Sequence, residues 1–521
     1  TGLSPRCCHT PNKKLRGYPI ITNLGGDAFD FLALRGILEV MLRREAIFVL
    51  GLGILVLLVY LPSFPGEFHF DDFALMLENP HVTAPHFSYQ LFLQEYGGRP
   101  LTLWTFHWNY RLFGSDPWSY HLSSLILHLL AAGLLLVWLR RKTSLRKAAL
   151  LATAVFALHP LQTQAVNYIW SRSVLLMFCF GMVSLLLAEI QPGKGPWRFF
   201  APALSLVCFQ LAIWSRVDGV VFLWPLVFRD GVPRRLTDAW SALYRQGGWV
   251  VVALTNLGAF ILFMSRVRPR EIGWTHPHVL GYWWSQTVAF WKYVGAMLWP
   301  AGLSIDHDFA VAGLWAPLLA LLGVGVLAFL LWTVRARYPL MVYGALWIGL
   351  ALAPAALVPN SDPFNESRAY PAVAGFAVIL GFVFHSLSQK LPRLGLAAAA
   401  ALLVAILPVT AARNYVWATD LRLWQDAALK SPHKARVHYN LGVAWARAGD
   451  IDRAQGSLTT ALLLDPGDDF THAALGYCAE ARRDWPLALG RYRRAVALNS
   501  RNSYANQGLK RVREHLQTEP G

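Results

Sequence analysis

From residue 46 to about residue 412 the chain alternates long apolar runs with short polar stretches. Runs of this length suit helices that cross about 30 Å of hydrocarbon. The first, AIFVLGLGILVLLVYL, occupies 46–61, and others centre near 130, 153, 182, 206, 223, 257, 323, 349, 379 and 402. The pattern therefore predicts an all-α, polytopic membrane helical bundle of about eleven spans. A less regular stretch, 283–299, carries Lys292 in its middle and reads as a re-entrant or interfacial helix. The run at 46–61 lies too deep in the chain, and is followed by too many others, to read as a cleaved leader.

After residue 430 charges become frequent and the apolar runs break into helical periodicity. Residues 434–467 align with 468–501 at an offset of 34: Leu441 and Gly442 match Leu475 and Gly476, Ala454 matches Ala488, and Ala461 matches Ala495. This is the spacing of the tetratricopeptide repeat, whose two helices touch at small residues. Residues 421–432 extend the register backwards as a half-repeat, and 503–517 read as a capping helix. Such an array serves either as a stacked-helix spacer or as a concave peptide-binding surface. The domain reading is an N-terminal cytoplasmic segment, 1–45, a transmembrane domain, 46–412, and an external repeat domain, 413–521.

Composition narrows the class further. The 521 residues are 55% hydrophobic and only 15% charged, where a soluble chain carries about 25% charged residues. A disordered chain, a coiled coil and a purely soluble enzyme are excluded. The net charge of +17 would suit a nucleic-acid binder, but Lys and Arg of a polytopic protein gather in cytoplasmic loops. Arg43, Arg44, the stretch 140–147, Lys194, Arg198, the stretches 229–235 and 334–338, Lys390 and Arg393 can all lie inside together. No nucleic-acid partner is expected. Loops 65–121, 159–173, 266–282 and 359–370 then lie outside, with everything beyond 412. The five cysteines form no metal or disulfide pattern.

The outer loops hold the unusual polar residues. Asp71 and Asp72 are adjacent acids among Phe68, Phe70 and Phe73, and carboxylates beside an apolar wall need a cation, a base or a task. Arg99, His107, Asn109, His121 and His128 are set among Trp, Phe and Leu; aromatic belts explain the rings but not the imidazoles and the guanidinium. His159, Gln162, Asn167 and Arg172 follow, then the turn with Arg216 and Asp218. Arg266, Arg268, Arg270 and Glu271 place a basic cluster on the face that should lack one, and arginine there can pair with phosphate. Asp306, His307, Asp308, Glu366 and Arg368 complete the set. Acids, imidazoles and arginines on one face of a lipid-embedded bundle point to chemistry on a lipid-linked phosphate. Asn365, Glu366 and Ser367 fit the N-glycosylation pattern inside this set, a match read as accidental.

FDDFALMLENPHV, RPLTLWTFHWNYRLFG with SYHLSSLILH, FALHPLQTQAVNYIWSR and NESRAYPAVAGF occur in that order, ahead of the repeats. Together they resemble the transmembrane and tetratricopeptide-repeat O-mannosyltransferase-like proteins, members of the polytopic GT-C glycosyltransferases, over residues 46 to 521. The resemblance implies an enzyme that passes a sugar from a polyprenyl-phosphate carrier to a hydroxyl, protein Ser or Thr, on the external face. Asp71 and Asp72 match the family's catalytic acids. Arg99, His121, His159, Arg172, Glu366, Arg368 and Tyr370 match its further fixed positions, and with Arg268 they form the expected donor and phosphate set. The sequence departs from the family at SRVDG, where a Lys–Glu pair is usual, and at Gln164, where an acid is common.

In this reading one carboxylate of Asp71 and Asp72 takes the acceptor's proton, and its neighbour either raises its pKa or helps to hold a divalent cation, Mg or Mn. Arg99, Arg172, Arg368 or the 266–270 cluster stabilises the leaving phosphate. A single displacement inverts the anomeric centre. The expected partners are the polyprenyl-phosphate-linked sugar, a protein acceptor held by the repeats, and membrane lipids. The expected setting is a bacterial inner membrane with the repeats in the periplasm, or the endoplasmic-reticulum membrane of a eukaryote. A membrane-anchored scaffold needs only one span, and a transporter would place its charges near the midplane; both remain as alternatives.

Overall fold

The computed structural model describes residues 30–64, 66–86, 99–190, 197–228, 236–267, 279–309, 311, 313–359 and 362–518. Every regular element among them is helical. Seven helices are long and apolar enough to cross a membrane: Glu45–Ser63, Pro117–Lys142, Ile169–Ala188, Trp315–Val334, Pro339–Leu357, Glu366–Lys390 and Pro392–Val416. Arg146–Leu158 and Pro160–Asn167 make an eighth if the pair, bent by 51°, counts as one span. The protein is an integral, multi-pass membrane protein.

Three shorter apolar helices, Phe200–Ser215, Val217–Val227 and Gly247–Ala259, fall at the remaining expected places. The one expected near 223 differs from its expectation. It is a 3-10 stretch, Val217–Phe222, running into the five-residue helix Leu223–Val227. At the rise of those two helix types it covers about 20 Å, short of the hydrocarbon thickness. The stretch around Lys292 is one uninterrupted helix, Val279–Leu298.

Prolines open many of the helices. Pro100, Pro117, Pro339 and Pro392 each sit in the first turn, where a missing N–H costs nothing. Ile169–Ala188 is the central span, 78% buried, whereas Trp315–Val334 is 6% buried and offers Leu319, Leu322 and Phe329 to lipid. Close packing rests on small residues. A Cβ on Gly375 would stand 2.5 Å from the carbonyl oxygen of Gly344, so the helices Pro339–Leu357 and Tyr370–Lys390 touch backbone to backbone.

Charges mark one end of the bundle. Glu45 pairs with Arg146 at 2.8 Å and lies 3.5 Å from Arg140, and Lys142 pairs with Glu189 at 2.8 Å. Asp71 and Asp72 lie beyond the other end of the span that Glu45 opens.

The repeats keep their 34-residue register down to the backbone. Asp450 and Asp484 cap equivalent helices, Ile451–Leu464 and Trp485–Leu498. Ala454, Ala461, Ala488 and Ala495 are fully buried, and a Cβ on Gly442 would stand 2.5 Å from Leu458. Gly449 turns between paired helices at φ +84, and its equivalent, Arg483, does so at φ +61. A side chain in that region costs about 1–2 kcal/mol. Arg483→Gly should therefore raise stability by about 1 kcal/mol, seen as a higher midpoint of thermal unfolding.

Candidate active site

The end of the bundle away from Glu45 is built from segments that the chain order keeps apart. Just past the first span, the residues before Phe73–Leu77 turn back under the helix Pro100–Phe113 and against residues 168–172. Gly66 is needed at the start of that turn, since a Cβ there would stand 2.6 Å from the Ser63 carbonyl and 2.8 Å from the His121 ring.

The two adjacent acids face different surroundings. Asp72 is fully buried, and both its oxygens accept backbone N–H groups, from Trp170 at 2.8 Å and from His69 at 3.0 Å. It ties the first loop to the second. Asp71 is half-buried; its Oδ2 accepts from the Tyr168 hydroxyl at 2.9 Å. Burial pushes Asp72 up to about 7, a value suited to a general base, and raises Asp71 as well. Geometry decides between them, because a base must reach the proton it takes. Asp71 has that access.

Arg99 lies with its guanidinium 5.2 Å from the Trp170 ring. Burial, followed by the neighbouring Arg216, pushes it down to about 9, while Asp218, Tyr168 and Asp71 pull the other way. Arg216 pairs with Asp218, and Arg99 and Arg368 also act on that carboxylate. Three guanidiniums around one carboxylate leave a surplus of positive charge at an apolar crevice lined by Val174, Met177 and Pro371.

The remaining expected residues separate into two groups. Glu366 is buried; its Oε1 accepts from the Ser304 N–H at 2.6 Å and faces His307 Nε2 at 2.7 Å, while its Oε2 has no hydrogen-bond partner. Arg368 donates to the Asp362 carbonyl at 2.8 Å. Glu366 lies near Lys292 and Arg368 near Asp362, and both lie near Tyr293. His159, Arg172 and Tyr370 are instead engaged inside the bundle. Arg172 donates to Asn109 at 2.9 Å and to the Tyr120 carbonyl at 3.2 Å, lying 4.5 Å from the Phe106 ring. His159 bonds the Met297 carbonyl at 2.9 Å, and Tyr370 bonds His128 at 2.9 Å. His121 is buried against Gly66. Arg172, His159 and Tyr370 thus tie neighbouring segments together, whereas neither ring nitrogen of His121 has a hydrogen-bond partner. Arg268 lies outside the described residues.

The donor set does not suit a divalent cation at Asp71 and Asp72. Both Asp72 oxygens already accept N–H groups, and among the described residues no three His, Cys, Asp or Glu side chains group as metal ligands.

Sequence reasoning missed Tyr168, Arg436 and Asp362. Tyr168 reads as one more interfacial aromatic, and Arg436 belongs to the repeats, so neither carries a signal of its own.

No family model matches the chain. It is 23% identical over 476 residues to a protein O-mannosyl-transferase of Caenorhabditis elegans, a match covering 81% of this chain and 63% of that protein. It is likewise 23% identical to protein O-mannosyl-transferase TMTC3 of Mus musculus, over 78% of this chain and 50% of the relative. The chain thus spans between half and two thirds of the length of these curated relatives. Among solved structures, ArnT from Cupriavidus metallidurans bound to undecaprenyl phosphate is 18% identical, with coverage of 84% of this chain and 78% of ArnT. The TM-score of 0.39 is too low to carry a conclusion.

Proposed function

We propose that this protein is a glycosyltransferase that moves a sugar from a polyprenyl-phosphate carrier to a hydroxyl, on protein Ser or Thr, at the end of the bundle where the repeats sit. By the charge rule that end is the outer face, in a periplasm or an endoplasmic-reticulum lumen. The observation that carries the reading is the half-buried carboxylate of Asp71 beside Arg99, with Arg216 and Arg368 grouped behind it. The names of the relatives agree with it.

Asp71 accepts the acceptor's proton as its oxygen attacks the anomeric carbon. The bond from that carbon to the phosphate oxygen breaks, and the leaving lipid phosphate carries its charge onto Arg99, Arg216 and Arg368. Three guanidiniums share the one carboxylate of Asp218, so the group keeps a surplus of positive charge for an anion that develops in the transition state. Attack and departure in one displacement invert the anomeric centre. Tyr168 holds Asp71 in place and keeps one of its oxygens turned inward.

Arg99→Gln should lower kcat/KM by about 100- to 1,000-fold, measured on the full chain in lipid nanodiscs supplied with a radiolabelled polyprenyl-phosphate sugar. Asp71 must be ionised to act, and burial raises its pKa above that of an ordinary aspartate, against the Tyr168 hydrogen bond and the charges of Arg436 and Arg99. Activity should therefore fall off on the acid side at a higher pH than a solvent-exposed aspartate would give, seen in kcat/KM against pH. The reading itself is tested by offering polyprenyl-phosphate sugars and nucleotide sugars in parallel, with extracted exported proteins as acceptors. Label should move to protein from a lipid-linked donor. Transfer only from a nucleotide sugar, or from none, would reject it.

A further inference from the structure

We propose that the first helices of the repeat domain complete the catalytic centre, with Arg436 a positioning residue that holds Asp71 in its working orientation. The inference rests on the glycosyl-transfer reading above.

Phe70, the residue before Asp71, has φ +47 although it is not a glycine. Such a conformation costs of the order of 1–3 kcal/mol and persists only where its surroundings enforce it. Here the enforcing groups come from the repeat domain. The Phe70 ring stands edge-on to Trp424, in the helix Asp420–Lys430, at 5.9 Å. The Arg436 guanidinium, from the helix Ala435–Arg447, lies 5.5 Å from the same ring.

Arg436 is fixed in its turn. It forks onto buried Asp306 at 2.7 and 2.8 Å and reaches Asp362 at 2.6 Å. Lys434 also binds Asp306, and lies 3.3 Å from Asp362. On the other side of Phe70, His69 Nε2 bonds the Trp417 carbonyl at 3.1 Å and Nδ1 faces Asp420 at 3.2 Å, while Glu67 accepts the Asp420 N–H at 2.9 Å. Residues 67–70 are therefore gripped on both sides by the start of the repeats.

The groups facing Asp71 are Tyr168 and Arg99 from the membrane domain, Asp362 from the last outer loop, Arg436 from the repeats and Asp72 beside it in the chain. Removing the Arg436 guanidinium withdraws a cation and leaves Asp306 and Asp362 less compensated. Both changes favour a proton on Asp71, so the acid limb of activity must move to higher pH. A repeat domain that only tethers an acceptor would leave that limb where it is.

The test uses the full chain in nanodiscs. Arg436→Gln should lower kcat between about 10- and 100-fold and raise the acid limb by about one pH unit. Its donor KM should stay within about twofold of wild type, since the donor phosphate is bound elsewhere. Arg436→Lys should restore the limb while keeping part of the kcat loss, because an ammonium cannot fork onto Asp306. Arg511→Gln removes a pair with Glu480 at 2.9 Å in the far repeats and should match wild type. A folded Arg436→Gln protein with the wild-type limb, or an equal shift in Arg511→Gln, overturns the proposal. Should Arg436→Gln not fold, wild-type kcat in Arg436→Lys overturns it. An inactive wild type rejects the glycosyl-transfer reading itself, an outcome distinct from an active wild type with an unmoved limb.

Discussion

Asp71→Asn should lower sugar transfer by about 100- to 10,000-fold while the protein still inserts and folds. The amide keeps an oxygen for the Tyr168 hydroxyl, so the hydrogen bond at 2.9 Å survives in form. What is lost is the capacity to take a proton from the acceptor. The half-buried position of the residue, not packed on all sides, limits the stability change to under about 1 kcal/mol. Transfer measured in nanodiscs, beside a thermal unfolding curve, separates the two effects. Donor affinity should change little, because the arginines proposed to hold the phosphate are untouched.

Asp72→Ala should do the reverse. It strands the N–H groups of His69 and Trp170 in a fully buried place, each having lost a bond to a carboxylate. At about 1.5–3 kcal/mol for each such bond the loss is about 3 kcal/mol or more, enough to lower yield and thermal midpoint markedly. Any activity that falls should fall with the folded fraction, and the transfer rate per folded molecule should be far better preserved than in Asp71→Asn. Two neighbouring acids would thus fail in different ways, one chemically and one structurally.

That division could not be seen in the sequence. Two adjacent aspartates among phenylalanines read alike, and only the turn at Phe70, with its φ of +47, sends one carboxylate inward to the amides and leaves the other half-exposed. The bundle was far more legible, because long apolar runs declare themselves one at a time. The segment near 223 is the instructive exception: its composition is apolar, but Asp218 with Gly219 and then Pro225 interrupt it, and it forms a 3-10 stretch and one short helix. The repeats were legible because a fixed offset shows in several positions at once, and Gly449 and Arg483 keep that offset in their backbone.

Among the polar residues, sequence cannot tell a group that serves the fold from one that serves a substrate. Arg172, His159 and Tyr370 lie among apolar neighbours as Arg99 does, yet each finds its partner inside the bundle. Arg436 was invisible for a different reason. It sits some 360 residues from Asp71 in the chain, and only folding brings the repeats back onto the first loop.

We assign Asp71 as the base of a sugar transfer. Its most direct test compares exported proteins and glycans by mass spectrometry in cells carrying the wild type, a deletion and Asp71→Asn. One sugar mass should disappear equally from the deletion and the point variant, with the variant present in the membrane at normal level. A sugar lost only in the deletion, and intact in Asp71→Asn, would contradict it.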